Sequence, residues 1–138
     1  MDKINRSEKA VKDLSFLLSL PKSNILPNLV KYMESPGTGS DLGDISVPAH
    51  FYITFIKFDY EGRFISQVKN ISIKNPTNKY DINIPLGVYE AIKGMKLYER
   101  SWFNMKSEEL HDTKDLKHKG CHFYITVEDV KYKNAETM

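Results

Sequence analysis

Residues 49–74 contain two strand-like runs separated by a turn: Ala49-His-Phe-Tyr-Ile-Thr-Phe-Ile-Lys-Phe58, then Asp59-Tyr-Glu-Gly62, then Arg63-Phe-Ile-Ser-Gln-Val-Lys-Asn-Ile-Ser-Ile-Lys74. Two runs rich in β-branched and aromatic residues, joined by a short loop that contains Asp and Gly, are typical of a β-hairpin. A hairpin this long needs further strands to cover it, because an isolated two-stranded ribbon is barely stable in water. The stretch therefore predicts a hairpin that belongs to a larger sheet.

Five residues of the first run, His50-Phe-Tyr-Ile-Thr54, recur unchanged near the C-terminus as His122-Phe-Tyr-Ile-Thr126. Because successive side chains of a strand point to opposite faces of a sheet, each copy divides into two sets. We expect one set to be interior: Phe51, Ile53, Phe123 and Ile125. We expect the other set on the opposite face: His50, Tyr52, Thr54, His122, Tyr124 and Thr126.

The N-terminal third of the chain predicts two helices and a connector. Residues 5–20 carry apolar side chains at helical spacing before Pro21, and Pro27 fits the first turn of a second helix over residues 25–34. Residues 35–48 hold three glycines and two prolines without periodicity, which is typical of a loop. These glycines do not have the spacing of a phosphate-binding loop, and a strand follows where a phosphate-binding helix should begin.

The part of the chain after the hairpin predicts three more strands and one helix. The predicted elements are a strand at 80–85, a helix at 87–93 ended by Gly94, a strand at 95–105, a polar loop at 106–120 with a helical turn near Leu110, and a strand at 121–133. The order of these elements is similar to that of a five-stranded oligonucleotide/oligosaccharide-binding (OB) barrel.

The predicted fold class is mainly β (α+β), either a five-stranded antiparallel OB-like barrel or a strongly bent sheet, with two N-terminal helices. An open antiparallel sheet packed on helices is the alternative. We expect a single domain over residues 1–138, because this length buries enough surface for one core. Within it, residues 1–34 are expected to form a helical extension, 35–48 a connector and 49–133 the β domain.

The composition is that of an ordinary globular protein, with 28% charged and 41% hydrophobic residues and a formal charge of +2. The single cysteine, Cys121, cannot form an internal disulfide, and no segment is typical of a signal peptide or a membrane span. We therefore expect a cytoplasmic protein that does not bind membranes. Abundant Lys, Asn and Ile with scarce Ala are typical of AT-rich coding DNA, which fits phages and low-GC bacteria, and a phage origin is one expectation.

Neither a metal nor a cofactor is predicted. The C-terminal region has ligand types for zinc, but their spacing matches no zinc pattern, and the adjacent residues of the last pair would point to opposite faces of a strand. These residues are His111, Asp112, Asp115, His118, Cys121 and His122. The expected cofactor set is empty.

The two histidine-containing strands resemble those of the two-histidine phosphoesterases, in which one His acts as general acid and the other as general base on a phosphodiester. The resemblance implies His50 and His122 as the catalytic pair, with the hydroxyls of Thr54 and Thr126. That family has Ser or Thr two residues after each His, where this chain has Tyr52 and Tyr124. The threonines then lie some 7 Å further along each strand at about 3.3 Å per residue. An enzyme is therefore not the preferred interpretation.

The preferred hypothesis is a single-stranded nucleic-acid-binding protein. Single-stranded DNA or RNA is bound by basic residues that contact the backbone and by aromatic rings that stack on bases. The predicted strand 95–105 places both types on one face, and neighbouring strands and the loop at 114–119 add more. The predicted binding residues are Tyr52, Lys96, Tyr98, Arg100, Trp102, Lys117, Lys119 and Tyr124.

Two alternatives remain open at this point. The same exposed aromatics fit a small protein-interaction or inhibitor (anti-defence) protein with a protein partner. Tyr98 and Trp102 also fit a purely structural role, packing beneath the N-terminal helices, since a large aromatic on a strand is commonly part of a core. The sequence does not determine the oligomeric state.

Overall fold

The computed structural model describes residues 13–76, 80–114 and 119–133. In these ranges six strands form one antiparallel sheet, and its strand order is β1-β2-β5-β6-β3-β4. The strands are β1 Lys22–Leu26, β2 Leu29–Ser35, β3 Ala49–Asp59, β4 Phe64–Asn75, β5 Arg100–Met105 and β6 Cys121–Tyr132. The helices are α1 Leu86–Ile92 and α2 Glu108–His111, with 3₁₀ turns at Ser15–Ser19 and Leu42–Asp44.

The predicted hairpin is confirmed as β3 and β4, which pair over their length and connect through residues 60–63. The turn is closed by Asp59, whose backbone N–H donates to the carbonyl of Arg63 and whose carboxylate accepts the N–H groups of Glu61 and Arg63. The repeated pentapeptides lie on adjacent strands, since β6 pairs with β3 and Thr126 lies opposite Thr54. The hairpin therefore belongs to a larger sheet, and β4 forms one edge of that sheet.

The face assignment of the two pentapeptides is also confirmed. Phe51, Ile53, Phe123 and Ile125 are all buried, on the side of the sheet that we call the helix face. They pack there against Val88, Tyr89, Ala91 and Ile92 of α1, together with Phe55, Phe103 and Met105. Helix α1 approaches the sheet closely at Gly87, where an added Cβ would lie 2.3 Å from the sulfur of Met105.

The opposite side of the sheet, which we call the outer face, carries a smaller cluster. Leu17, Phe58 and Trp102 are buried there, with Phe16, Tyr32 and Tyr124 packed around them. Leu17 belongs to the turn Ser15–Ser19, which covers Trp102 through an edge-to-face contact between the rings of Phe16 and Trp102 at 5.5 Å. The outer face is thus partly covered by the segment that precedes β1.

Several predictions about the fold are wrong. The sheet has six strands and is open, so the OB-like barrel is wrong and the open antiparallel sheet is the better description. The helix predicted at 25–34 is a hairpin, because Pro27 lies in the turn between β1 and β2. The strand predicted at 80–85 is a turn, in which the Asp81 carboxylate accepts the N–H of Asn83.

Other elements are close to their predictions. Helix α1 and strand β6 lie within a residue of the expected bounds, although Gly94 does not have a positive φ. The strand predicted at 95–105 begins only at Arg100, because Tyr98 has a left-handed backbone with φ of 68°. Half of the helix predicted at 5–20 lies outside the described residues, and in the described half 15–19 form a 3₁₀ turn. No helix in the described ranges is long and apolar enough to cross a membrane.

Candidate functional site

A pocket of about 290 Å³ lies where α1 meets the ends of β3 and β4. We call it the aromatic pocket, because three rings contribute to its walls. Its lining residues are Leu42, Gly43, Phe51, Ile73, Asn75, Pro76, Tyr80, Tyr89, Ile92 and Lys93. Four separate parts of the chain therefore build it: the 3₁₀ turn Leu42–Asp44, the β3–β4 hairpin, the turn before α1, and α1 itself.

The sheet provides one wall of the pocket. Phe51 and Ile73 are direct cross-strand partners on the helix face, so their side chains lie next to each other. The side-chain amide of Asn75 donates to the carbonyls of Ile45 and Val47, each at 3.0 Å, which holds the connector against the end of β4. This wall is therefore apolar and fixed by two long-range hydrogen bonds.

The turn Leu42–Asp44 forms the side of the pocket next to the end of α1. The N–H of Leu42 donates to the carbonyl of Met95 and that of Gly43 to the carbonyl of Lys93, both at 2.8 Å. A Cβ at Gly43 would lie 2.7 Å from that same carbonyl oxygen of Lys93, so the close approach requires glycine. The connector predicted to be a mere linker thus contributes directly to the pocket.

Two tyrosines complete the pocket. The rings of Tyr80 and Tyr89 are 4.5 Å apart, and the hydroxyl of Tyr89 accepts the backbone N–H of Asp81 at 2.8 Å. Tyr89 is nearly buried, whereas Tyr80 is 55% exposed and its ring forms the accessible rim. Since the Tyr89 oxygen accepts that bond, its own hydrogen is left to donate to another group.

Lys93 places a positive charge at the rim. Its ammonium donates to Glu90 at 2.9 Å, and this hydrogen bond raises the pKa of Lys93. The aromatic pocket therefore combines apolar walls with a hydroxyl donor and a charged rim. Such an arrangement suits an apolar side chain with a neighbouring backbone carbonyl, and the described lining residues include no nucleophile with an adjacent base.

The predicted nucleic-acid-binding residues do not form one surface. Arg100, Trp102 and Tyr124 share the outer face with Tyr52, but Trp102 is only 3% exposed because the turn Ser15–Ser19 covers it. Lys96 and Tyr98 precede β5; Lys96 forms an ion pair with Asp41 at 2.6 Å, and Tyr98 is exposed in a loop. Lys119 lies 4.9 Å from the ring of Tyr60, and Lys117 lies outside the described residues.

Tyr124 has a structural partner. Its hydroxyl donates to Glu34 at 2.5 Å, and the indole N–H of Trp102 donates to the same carboxylate at 3.4 Å. Burial, together with the Glu34 carboxylate, raises the pKa of Tyr124 to about 12. These contacts join β2, β5 and β6 on the outer face, so the tyrosine and the tryptophan serve packing.

The two histidines cannot act on one phosphate. The antiparallel register puts His50 opposite Lys131 and His122 opposite Phe58, eight residues from His50 along β3. At about 3.3 Å per residue this separates them by about 26 Å. Thr54 and Thr126 lie opposite each other between them, and Thr54 donates to Glu128. Burial also lowers the pKa of His122, which favours its neutral form.

The C-terminal His, Cys and Asp residues do not converge in the described structure. Cys121 is buried on the helix face beside Lys57 and Thr113, whereas His122 lies on the outer face. Burial raises the pKa of the Cys121 thiol and lowers that of the Lys57 ammonium, which donates to the Thr113 hydroxyl at 2.8 Å. No group of three potential metal ligands occurs in the described ranges, which do not include Asp115 and His118.

The fold is similar to that of several solved structures at low sequence identity. The N-terminal domain of FKBP42 from Arabidopsis thaliana matches with a TM-score of 0.58 and 11% identity over 80% of this chain and 92% of that chain. The peptidyl-prolyl cis-trans isomerase of Pseudomonas syringae pv. tomato str. DC3000 matches with a TM-score of 0.59 and 14% identity over 91% and 96% of the two chains.

A third similar structure is that of FkpA from Escherichia coli, with a TM-score of 0.56 and 15% identity over 95% of this chain. The match spans 58% of FkpA. No protein-family model matches the sequence, and no curated protein matches it either. At such identities the comparisons establish an FKBP-type fold.

These neighbours correct the functional predictions. They are FKBP-type domains and not OB barrels, so the prediction of a single-stranded nucleic-acid-binding protein is wrong, and so is the expectation of a DNA or RNA partner. The inhibitor and phosphoesterase alternatives are not supported by these neighbours either, and nothing in the comparisons supports a phage origin. The sequence signal for the pocket was weak, because its lining residues are scattered between Leu42 and Lys93.

Proposed function

We propose that this chain binds proline-containing segments of other proteins and that the proline ring enters the aromatic pocket. The observation that carries the proposal is the position of that pocket in an FKBP-type fold, between α1 and the β3–β4 hairpin. A solved structure with this fold is named as a peptidyl-prolyl cis-trans isomerase. The local chemistry of the pocket supports the same class of ligand.

The size of the pocket favours a side chain over a larger molecule. Pockets for drug-sized ligands have volumes of about 300 to 1,000 Å³, so one of about 290 Å³ fits one or two residues of a peptide. Proline suits such a site, because its ring is rigid and loses little entropy when it is buried. Aromatic-lined grooves recognise proline-rich segments for this reason.

The polar groups of the pocket can orient the peptide backbone. The Tyr89 hydroxyl can donate to a peptide carbonyl, because its oxygen already accepts the N–H of Asp81. A proline residue has a backbone carbonyl but no N–H. One hydrogen-bond donor in the pocket is therefore enough to satisfy its only polar backbone group. We assign Tyr80 to contact the ring of the bound proline, since it is the exposed aromatic at the rim.

Isomerisation of a bound Xaa–Pro bond would need no further groups. The reaction is a rotation with a barrier of about 18 to 20 kcal/mol, and no covalent bond is broken. It therefore requires neither an acid/base pair nor a cofactor. It is accelerated only if the site binds the twisted amide more tightly than the planar one.

The proposal is tested with a fluorescently labelled peptide that contains one central proline and with its alanine counterpart. We expect the proline peptide to bind more tightly, and Tyr80→Ala to weaken its binding by about 1 to 2 kcal/mol, as truncation of an interface tyrosine does. Tyr98→Ala is the matched control, because Tyr98 is 59% exposed and does not line the pocket. Fluorescence anisotropy measures the affinities.

Equal affinities for the two peptides, or equal effects of the two substitutions, would contradict the proposal. Exchange spectroscopy by NMR on the same proline peptide tests catalysis separately. The free peptide interconverts over tens to hundreds of seconds. Faster exchange that is lost in Tyr80→Ala would assign isomerase activity to the aromatic pocket, and unchanged exchange would leave binding as its only activity.

A further inference from the structure

A second pocket, of about 280 Å³, lies next to the aromatic pocket. We call it the basic pocket; it is lined by Pro48, Ala49, His50, Lys74, Asn75, Pro76 and Lys133. Asn75 and Pro76 line both pockets, so the two are adjacent. A peptide segment bound in the aromatic pocket would extend past the basic pocket on one side of its proline.

The basic pocket concentrates positive charge. Of its seven described lining residues, none is acidic, and Lys74, Lys133 and His50 supply basic groups. His50 lies opposite Lys74 on β4 and opposite Lys131 on β6, which puts three basic residues in one row across three strands. Lys74 and Lys131 therefore lie on the two strands that flank His50. An anionic ligand beside His50 would lie between these two positively charged side chains.

Local contacts hold the basic row in place. The N–H of Lys133 donates to the carbonyl of Pro48 at 3.0 Å, which fixes the end of β6 beside the pocket. The Nδ1 atom of His50 is 3.2 Å from the hydroxyl oxygen of Ser72, and when that hydroxyl donates, Nε2 carries the hydrogen and can donate to a ligand. The ammonium of Lys131 lies 5.4 Å from the centre of the Tyr52 ring. The nearest acidic residue on β6, Asp129, accepts the N–H of Val130.

We propose that the basic pocket binds the carboxylate of an aspartate or glutamate in the same peptide segment whose proline occupies the aromatic pocket. This assignment rests on the proposed function and narrows its ligand to acidic, proline-containing segments. An extended chain advances about 3.3 Å per residue, so an acidic residue within about three positions of the proline can reach the adjacent pocket. The basic row supplies the charge complementarity that selects acidic segments over neutral ones.

The experiment compares three labelled peptides. The Glu–Pro peptide has Glu two residues from its central proline, and the Gln–Pro peptide has Gln at that position. The third is the Glu–Pro peptide with Ala in place of Pro. Placing Glu on the N-terminal or the C-terminal side of the proline gives two versions of the set. The proteins are the unsubstituted chain, Lys74→Glu/Lys133→Glu and the control Lys22→Glu/Lys106→Glu. The control makes the same change in net charge at exposed lysines that do not line either pocket.

We expect the Glu–Pro peptide to bind about fivefold to tenfold more tightly than the Gln–Pro peptide in one of the two orientations, since each exposed ion pair contributes modestly. Lys74→Glu/Lys133→Glu should remove this preference and leave the affinity for the Gln–Pro peptide unchanged. The control should keep most of the preference. Added salt should reduce the preference in the unsubstituted chain. Thermal unfolding verifies that each variant is folded.

Three outcomes would overturn this proposal. Equal binding of the Glu–Pro and Gln–Pro peptides in both orientations would show that the basic pocket does not select carboxylates, while the proposed function would stand. Equal loss of preference in both double variants would assign the effect to net charge and not to the pocket. Failure of every proline peptide to bind would overturn the proposed function itself, and this assignment with it.

Discussion

The two faces of the sheet are built from the same sequence pattern but are stabilised differently. On the helix face, Phe123 and its neighbours on β3, β5 and β6 pack against α1 in one large apolar cluster. On the outer face, Tyr124 and Trp102 pack in a small cluster, and their polar atoms share the carboxylate of Glu34. Adjacent residues of one strand thus belong to environments in which different interactions dominate.

This difference has a consequence for where ligands can bind. The central helix face is closed, because α1 covers it and residues such as Phe103 and Ile125 are fully buried. Space remains where α1 ends and where β3 and β4 run past it, and the aromatic pocket lies there. The fold therefore places a ligand site at the margin of its core, where apolar side chains are already fixed by packing on one side.

The largest expected effect is the loss of a buried ring from the helix face. Phe123→Ala should lower the free energy of unfolding by about 3 to 5 kcal/mol, as large-to-small changes in a close-packed core do. Tyr124→Ala should cost about 1 to 2 kcal/mol, because that side chain is only partly buried. Urea unfolding of the two variants measures the difference. Equal losses would show that the outer face contributes as much to stability as the helix face.

The sequence predicts the faces of the central strands well, and the reason is local. Alternation in the two pentapeptides depends only on the period of a strand, so Phe51 and Phe123 could be assigned to the interior without knowledge of the fold. The assignment of Trp102 to the face opposite Phe103 is correct for the same reason. What covers Trp102 is a distant segment, and no local pattern reports it.

The errors concern segments whose patterns fit two structures. Leu29, Val30 and Met33 fit one face of a helix and also a short strand, and Pro27 is acceptable in the first turn of a helix or in a hairpin turn. Only pairing with β5, about 70 residues later in the chain, decides for the strand. The aromatic pocket is harder still, because its walls come from four segments that meet only in the folded chain.

An effect of intermediate size is expected from the one ion pair that the described helix face buries. Lys31 donates to the carboxylate of Glu99 at 2.7 Å, and Glu99 is 0% exposed; this carboxylate also accepts the Ser101 hydroxyl and the N–H of Lys96. Lys31→Met leaves an uncompensated buried charge and should cost about 3 kcal/mol, near the lower limit for a broken buried pair because those two hydrogen bonds remain.

The double variant Lys31→Met/Glu99→Leu separates the value of the pair from the penalty of leaving one charge alone. Removing both charges should cost less than Lys31→Met by itself, because replacement of a buried ion pair by apolar groups is often nearly neutral. Urea unfolding of Lys31→Met, Glu99→Leu and the double variant completes the cycle. If the two single losses simply added in the double variant, the charges would act independently, and the helix face would not depend on their pairing.

The smallest expected effect belongs to the outer face and depends on pH. Burial and Glu34 raise the pKa of the Tyr124 hydroxyl to about 12 from its ordinary value of 10.0, so the folded chain holds this proton more tightly than the unfolded chain. The resulting stabilisation is fully present below about pH 10 and is lost as the pH rises towards about 12.

Tyr124→Phe removes the hydrogen bond to Glu34 and should cost about 1 kcal/mol at neutral pH. Its deficit relative to the unsubstituted chain should then shrink as the pH rises above about 10. Tyr98→Phe, at an exposed loop position, controls for titration of tyrosines in general. Unfolding curves measured from neutral to alkaline pH test this, and a deficit that stays constant across the range would show that the Tyr124 hydroxyl does not couple the outer face to Glu34.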